Sequence, residues 1–189
     1  MAEETPDAQM LAIFEANDFH YASVEEAWAK ARHLYPLLPS VVDRFPEERA
    51  HQVCSEWLSR VAERIQDARP AAELFAQARS KAPPRQAHLV ASKLGDLRNA
   101  WVLGKKPAAA AFADGAGHLA EVWAARTSGE EDGETDAWKR SQEASTALVT
   151  AWVLHQGLVD TDKEARVRAR EALTDLLREA RGALPLEET

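Results

Sequence analysis

Apolar residues recur at intervals of three and four along most of this chain, which is the spacing of a helix with one buried face. The longest such run covers residues 136–157. No stretch alternates with a period of two, so strands are not predicted. The pattern predicts an all-α bundle of seven or eight helices. The residues expected to share one face of the longest run are Trp138, Ser141, Ser145, Leu148, Val149, Trp152 and His155.

Capping and breaking residues set the ends of the predicted helices. Ser23 and Thr161 each begin a capping-box pattern, with a glutamate three residues later. Pro36 and Pro39 are expected to end the helix that begins after Ser23, because proline has no amide hydrogen to donate to a continuing helix.

A helix over residues 84–103 follows the clearest break in the chain, Pro83-Pro84, and is predicted to stop before Gly104. An alanine-rich connector is expected next. The segment 127–136 has five acidic residues, two glycines and no apolar residue. This composition predicts a flexible acidic loop.

Two pairs of tryptophans indicate an internal duplication within a single domain, 1–189. Trp28 and Trp57 are 29 residues apart, as are Trp123 and Trp152, and the sequences around them match at a common offset of 95 residues. The pattern predicts two copies of a three-helix unit, although amphipathic helices of similar composition would also resemble one another. The predicted halves are 20–82 and 115–184, joined by the helix at 84–103.

Charge is distributed unevenly along the chain. Its net charge of −8 argues against nucleic acid as a partner, because phosphate contacts dominate that affinity. Residues 79–106 nevertheless carry seven basic residues and one acidic residue, a net charge of +6. An acidic protein, or an acidic part of this chain, is expected to bind there. The candidate partner-binding residues are Arg85, Lys93, Arg98, Lys105 and Lys106.

The composition also predicts the compartment. No apolar run is long enough to cross a membrane, and the N-terminal sequence is acidic where a signal peptide would be basic. Cys54 is the single cysteine, which excludes an intramolecular disulfide and a cysteine-based metal site. We expect a cytoplasmic protein without a membrane partner, in which Cys54 is a buried apolar side chain.

Signatures of nucleotide binding, zinc proteolysis and serine hydrolysis are missing from the sequence, so no cofactor, metal or catalytic residue is predicted. Glu48 and His51 form one ExxH pair, whereas a di-iron bundle needs two. The spacing of Arg44 and His51 also occurs in helical ribonucleases of the HEPN type, where both residues flank a phosphodiester. Pro46 separates them here, and a HEPN-like ribonuclease is therefore a remote alternative.

A pocket around His155 is a second possibility for function. If His155 is buried beside Trp152, its ring nitrogens need polar partners, which serines one or two turns earlier could supply. The pattern would then form the polar floor of an apolar pocket between helices. The residues of this pocket hypothesis are Trp138, Ser141, Ser145, Trp152 and His155.

Three classes of function follow from these observations. The many amphipathic faces and the uneven charge favour a non-catalytic protein that binds another protein, as an adaptor, an accessory subunit or a homodimer. A small-molecule-binding protein with a tryptophan-lined pocket is the alternative. An enzyme is the least favoured class, since no motif supports one.

Overall fold

A computed structural model describes residues 5–79, 83–128 and 137–184. Over these residues the chain forms nine α-helices and no strand, which confirms the predicted all-α class. The segment 129–136, most of the predicted acidic loop, lies outside them. The helices are α1 (Pro6–Ala16), α2 (Val24–Lys30), α3 (Leu34–Val42), α4 (Glu48–Ala62), α5 (Arg69–Ala76), α6 (Pro84–Leu103), α7 (Pro107–Ser128), α8 (Ala137–His155) and α9 (Lys163–Ala183).

Side-chain caps begin several helices. The Ser23 hydroxyl accepts the Glu26 amide at 3.1 Å, and the Glu26 carboxylate reaches back to the Ala22 amide at 2.6 Å. Ser23 therefore caps α2 as predicted, whereas Glu26 bonds the Ala22 amide instead of the Ser23 amide that a capping box uses. The second prediction was wrong by one residue, because Asp162 rather than Thr161 caps α9 and its carboxylate accepts the Ala165 amide at 3.0 Å.

The two prolines expected to end a helix instead lie within one. Helix α2 stops at Lys30, and α3 contains both Pro36 and Pro39. Pro36 is in the first turn, where amides have no partner inside the helix, and Pro39 costs α3 only one hydrogen bond. Eight of the nine residues of α3 are buried. Burial at the centre of the bundle therefore outweighs the local cost of proline.

The expected alanine-rich connector is also helical. It forms the first half of α7, and alanine is the residue with the highest intrinsic helix propensity. Gly115 lies inside this helix, where a Cβ atom would come within 2.7 Å of the Leu148 Cγ on α8. Glycine at this position allows α7 and α8 to pack closely along their lengths.

Buried side chains from α1 to α9 form one continuous hydrophobic cluster. Polar contacts join its parts: the Trp57 indole on α4 donates to the Leu173 carbonyl of α9 at 3.0 Å. The Trp138 indole donates to the Asp43 carboxylate, which also accepts from Arg126. Cys54 is fully buried, as predicted. None of the described helices is both long and apolar enough to cross a membrane.

The duplication stays a prediction. Its first matched pair consists of α2, with 7 residues, and α7, with 22 residues. Three of the four tryptophans of the pattern are buried, whereas Trp152 is half-buried. Buried tryptophans at these positions are expected for core helices with or without a common origin.

Candidate functional site

The serines of the pocket hypothesis do not form a polar floor. The Ser141 hydroxyl donates to the Ala137 carbonyl at 2.6 Å, and the Ser145 hydroxyl donates to the Ser141 carbonyl at 2.7 Å. Both groups therefore use their hydrogens within α8. Trp138 packs edge-on against Tyr35, with ring centroids 6.4 Å apart. These side chains belong to the packing of α8 against its neighbours.

His155 lies at the end of α8 and is exposed, so the expectation that it shares the buried face was wrong. Its Nδ1 accepts the Gln66 amide at 3.4 Å, in the loop that follows α4. Val153 in the same last turn is fully buried, so His155 projects from the side of α8 that faces away from the cluster at this end of the helix. Trp152, one turn earlier, is half-buried against the cluster.

A small apolar pocket is present elsewhere, between α1 and α3. It has a volume of about 230 Å³, and none of the five residues of the pocket hypothesis lines it. Ligand cavities usually range from roughly 300 to 1,000 Å³, so this pocket is smaller than most. Aromatic rings of Phe14, Phe19 and Tyr35 contribute to its walls. Three other surface pockets formed by described residues, of about 580, 430 and 610 Å³, are also not lined by any residue of the pocket hypothesis.

His51 is held inside an aromatic cluster. Its ring stacks on Phe75, with centroids 5.2 Å apart, and lies 4.8 Å from the ring of Trp123. The Nε2 atom is 3.3 Å from the Phe75 carbonyl oxygen, to which a neutral imidazole donates. Burial lowers the pKa of His51 from 6.5 to about 4. His51 is therefore neutral at physiological pH.

The arginine of the ribonuclease hypothesis is also engaged. Arg44 forms an ion pair with Asp7 at 2.6 Å and donates to the Ser40 carbonyl. Ribonuclease chemistry would need Arg44 and His51 to face a shared phosphodiester, whereas His51 is 4% exposed and lies among aromatic rings. Among the described residues, no group of three or more histidine, cysteine, aspartate or glutamate side chains could hold a metal ion.

Helix α6 is attached to the bundle along one face. Val90 and Leu94 are buried against the cluster, while Leu97 and Trp101 pack partly against it. The contacting elements are mainly α7, with a smaller contribution from α5. The side chains on the other side of this 20-residue helix are exposed.

That opposite face carries a continuous line of exposed residues, which we call the α6 stripe. Successive members are three or four residues apart, so the line runs nearly parallel to the helix axis. Leu89 is 51% exposed and Leu103 is 85% exposed. The sequence pattern was interpreted only for the apolar residues of α6 that face the bundle, so Leu89 and Leu103 were missed. The available signal was that apolar residues occur at two different angular positions around this helix. The α6 stripe consists of Arg85, Leu89, Lys93, Asp96, Ala100 and Leu103.

The five predicted partner-binding cations divide into two groups. Arg98 pairs with Asp114 of α7 at 2.8 Å, and Lys106 pairs with Asp67 at 3.1 Å. These two side chains therefore help to attach α6 to its own bundle. Arg85, Lys93 and Lys105 are exposed and form no ion pair with a described residue. Only these three are available to an acidic partner.

Further side-chain contacts connect α6 with α7 and α8. Asp114, which binds Arg98, lies 3.8 Å from the His118 Nε2 on the same helix. His118 in turn lies 3.3 Å from Glu143 of α8, and Arg140 pairs with that carboxylate at 3.0 Å. These contacts link α6 to α7 and α8 and help to hold α6, with its stripe, in place on the bundle.

Comparisons of the chain with protein-family models, curated proteins and solved structures found no match. The geometry of the described residues is therefore the basis for the proposal below.

Proposed function

We propose that this protein works by binding another polypeptide chain through the α6 stripe. The observation that carries the proposal is the exposure of Leu89 and Leu103 on a helix whose other face is anchored to the bundle. Single exposed apolar residues are common on protein surfaces. Leu89 and Leu103 are aligned along one helix with Lys93, Asp96 and Ala100 between them, and this mixed line of apolar and charged side chains is the surface offered to a partner helix.

Charge supports the same surface. Arg85 and Lys93 belong to the stripe, and Lys105 follows the end of α6. Together they give this side of a protein with net charge −8 a local positive potential. Such a distribution steers an oppositely charged surface toward the stripe, and the leucines then contribute the apolar contact.

The test is a capture experiment with a variant that removes the apolar contact. The immobilised protein is incubated with a lysate of the source cells supplemented with untagged protein, and the retained chains are identified by mass spectrometry. We expect the double variant Leu89→Glu with Leu103→Glu to lose a retained chain. Glutamate at a contact position would bury an unpaired charge, which costs several kcal/mol.

Val167→Glu is the matched control, because Val167 is 49% exposed on α9, outside the stripe. It should retain the same chains as the wild-type protein. Both variants change exposed positions, so urea unfolding should give stabilities within about 0.5 kcal/mol of the wild type. Equal retention by the stripe variant and by the control would refute the proposal.

Charge reversal at Arg85, Lys93 and Lys105 forms a second arm of the same experiment. Capture of an acidic partner should weaken, and the loss should be smaller at high salt, where exposed charges are screened. Arg98 and Lys106 are left unchanged in this arm, because their ion pairs hold α6 on its own bundle.

A further inference from the structure

The order of residues along the α6 stripe is complementary to itself. We infer that the chain bound by the stripe is a second copy of this protein, with the two α6 helices antiparallel across a twofold axis. This inference rests on the proposed function for its surface, and it replaces the acidic partner considered there with a second copy that pairs through Lys93 and Asp96. In a twofold interface the same surface serves both subunits, so each contact occurs twice.

One register makes this pairing specific. In this register the twofold axis is level with the midpoint between Leu94 and Gly95. Lys93 then lies opposite the partner's Asp96, and by symmetry Asp96 lies opposite the partner's Lys93. Neither Lys93 nor Asp96 forms an ion pair with a described residue of its own chain. Two groups of opposite charge, each without an ion pair in the described part of the monomer, thus become partners in the dimer.

Apolar residues match in the same register. Leu89 lies opposite the partner's Ala100, so a large side chain meets a small one at both ends of the contact. Pairing large with small residues lets two helices approach closely and interdigitate. In this register Leu103 comes level with the partner's Gln86, and the partner's Arg85 lies one residue, about 1.5 Å, further along the helix axis.

Neighbouring registers are disfavoured by charge. Moving the axis one and a half residues toward the N-terminus places Lys93 opposite the partner's Lys93. Moving it the same distance toward the C-terminus places Asp96 opposite the partner's Asp96. Like charges facing each other at the centre of an interface are unfavourable, so the sequence selects the register between these two.

The size of the contact sets its expected strength. Helix α6 has 20 residues and is therefore about 30 Å long. A single helix pair lies at the lower end of specific interfaces, so we expect a reversible dimer whose population rises with concentration.

A charge swap across the axis tests the inference by sedimentation equilibrium. The wild-type protein should change from 20.9 kDa toward twice that mass as concentration increases. Lys93→Asp and Asp96→Lys should each weaken association about tenfold or more, because each places like charges opposite one another twice. The double variant carrying both changes should recover association to within about threefold of wild type, because it restores both pairs in reverse.

Engineered cysteines check the register directly. The double variant Leu89→Cys with Ala100→Cys should form a disulfide-linked dimer under mild oxidation, whereas Leu89→Cys alone should not. The two positions are eleven residues apart, about 16 Å along one helix, so they cannot bridge within one chain. Native Cys54 is buried and does not compete.

The outcomes separate this inference from the proposed function. A wild-type protein that stays at 20.9 kDa at all concentrations overturns the inference, and so does a double charge variant that fails to recover association. If the Leu89 and Leu103 variant still loses capture of a different protein, the proposed function survives with another partner. If the wild-type protein stays monomeric and the Leu89 and Leu103 variant retains every chain that the wild-type protein retains, both proposals fail.

Discussion

At the scale of single residues, His51 shows how burial determines a side chain's chemistry. The imidazole has one hydrogen-bond partner, the Phe75 carbonyl, and lies against the rings of Phe75 and Trp123, while the charges of Glu48 and Arg79 also act on it. Protonation would place a charge among those rings, where it is poorly solvated. This is the physical reason that burial lowers the pKa of His51 to about 4.

His51 should therefore make stability depend on pH. Above about pH 6.5 it is neutral in both states and its contribution is fully present. Between pH 6.5 and pH 4 the unfolded state binds a proton that the native state does not, so the free energy of unfolding decreases as pH falls. The loss should approach about 3 kcal/mol near pH 4, as the pKa values of 6.5 and about 4 imply. Urea unfolding at intervals over this range measures it.

His51→Phe is the control, because phenylalanine keeps a ring among Phe45, Phe75 and Trp123 but does not titrate. Carboxylates distant from His51 contribute equally to both proteins, so the difference between their pH profiles reports on the histidine together with Glu48, whose charge acts on it. Parallel profiles from pH 7 to pH 4 would show that His51 does not have the depressed pKa.

At the scale of helices, glycine has opposite roles in two neighbouring elements. Gly115 of α7 is pressed against α8, where an added Cβ would meet the buried Leu148 side chain at 2.7 Å and the Ala144 carbonyl at 3.2 Å. Gly95 of α6 has no atom within 4 Å of the corresponding position. The two sites offer a matched pair of substitutions inside long helices.

Gly115→Ala should destabilise the protein by roughly 1–3 kcal/mol, since overpacking against Leu148 exceeds the gain in helix propensity. Gly95→Ala should instead stabilise it by about 0.5–1 kcal/mol, because alanine removes the conformational freedom of glycine without a clash. Chemical denaturation of both variants gives the two values. A stabilised Gly115→Ala protein would mean that α7 and α8 do not approach closely.

Helix boundaries were predictable where local chemistry decides them. The break at Pro83-Pro84 and the stop before Gly104 gave the bounds of α6 correctly, because nothing distant competes with those signals. The prediction from Pro36 and Pro39 was wrong because a tertiary effect competes with the local signal there. The burial of α3 is a tertiary effect, and it stabilises a helix that local rules would break.

At the scale of the whole molecule, the candidate site was only partly predictable. Clustering of positive charge identified the region of α6, yet the ion pairs that remove Arg98 and Lys106 from the surface depend on Asp114 and Asp67, which only the fold brings near them. The exposure of Leu89 likewise depends on the absence of a described helix against that face. Helical periodicity predicts which residues share a face of a helix, but it does not predict which of those faces other helices cover.

Cys54 provides a test of whether the bundle unfolds as one cooperative unit. Its thiol is fully buried in α4, and burial raises its pKa, so a thiol reagent should react only after the structure opens. If all helices unfold together, the free energy obtained from the native-state labelling rate should equal that from urea unfolding followed by tryptophan fluorescence. Labelling with a disulfide reagent over a range of urea concentrations measures the first quantity. A clearly smaller free energy from labelling would mean that α4 becomes exposed by a partial opening, and that the single hydrophobic cluster contains separable units.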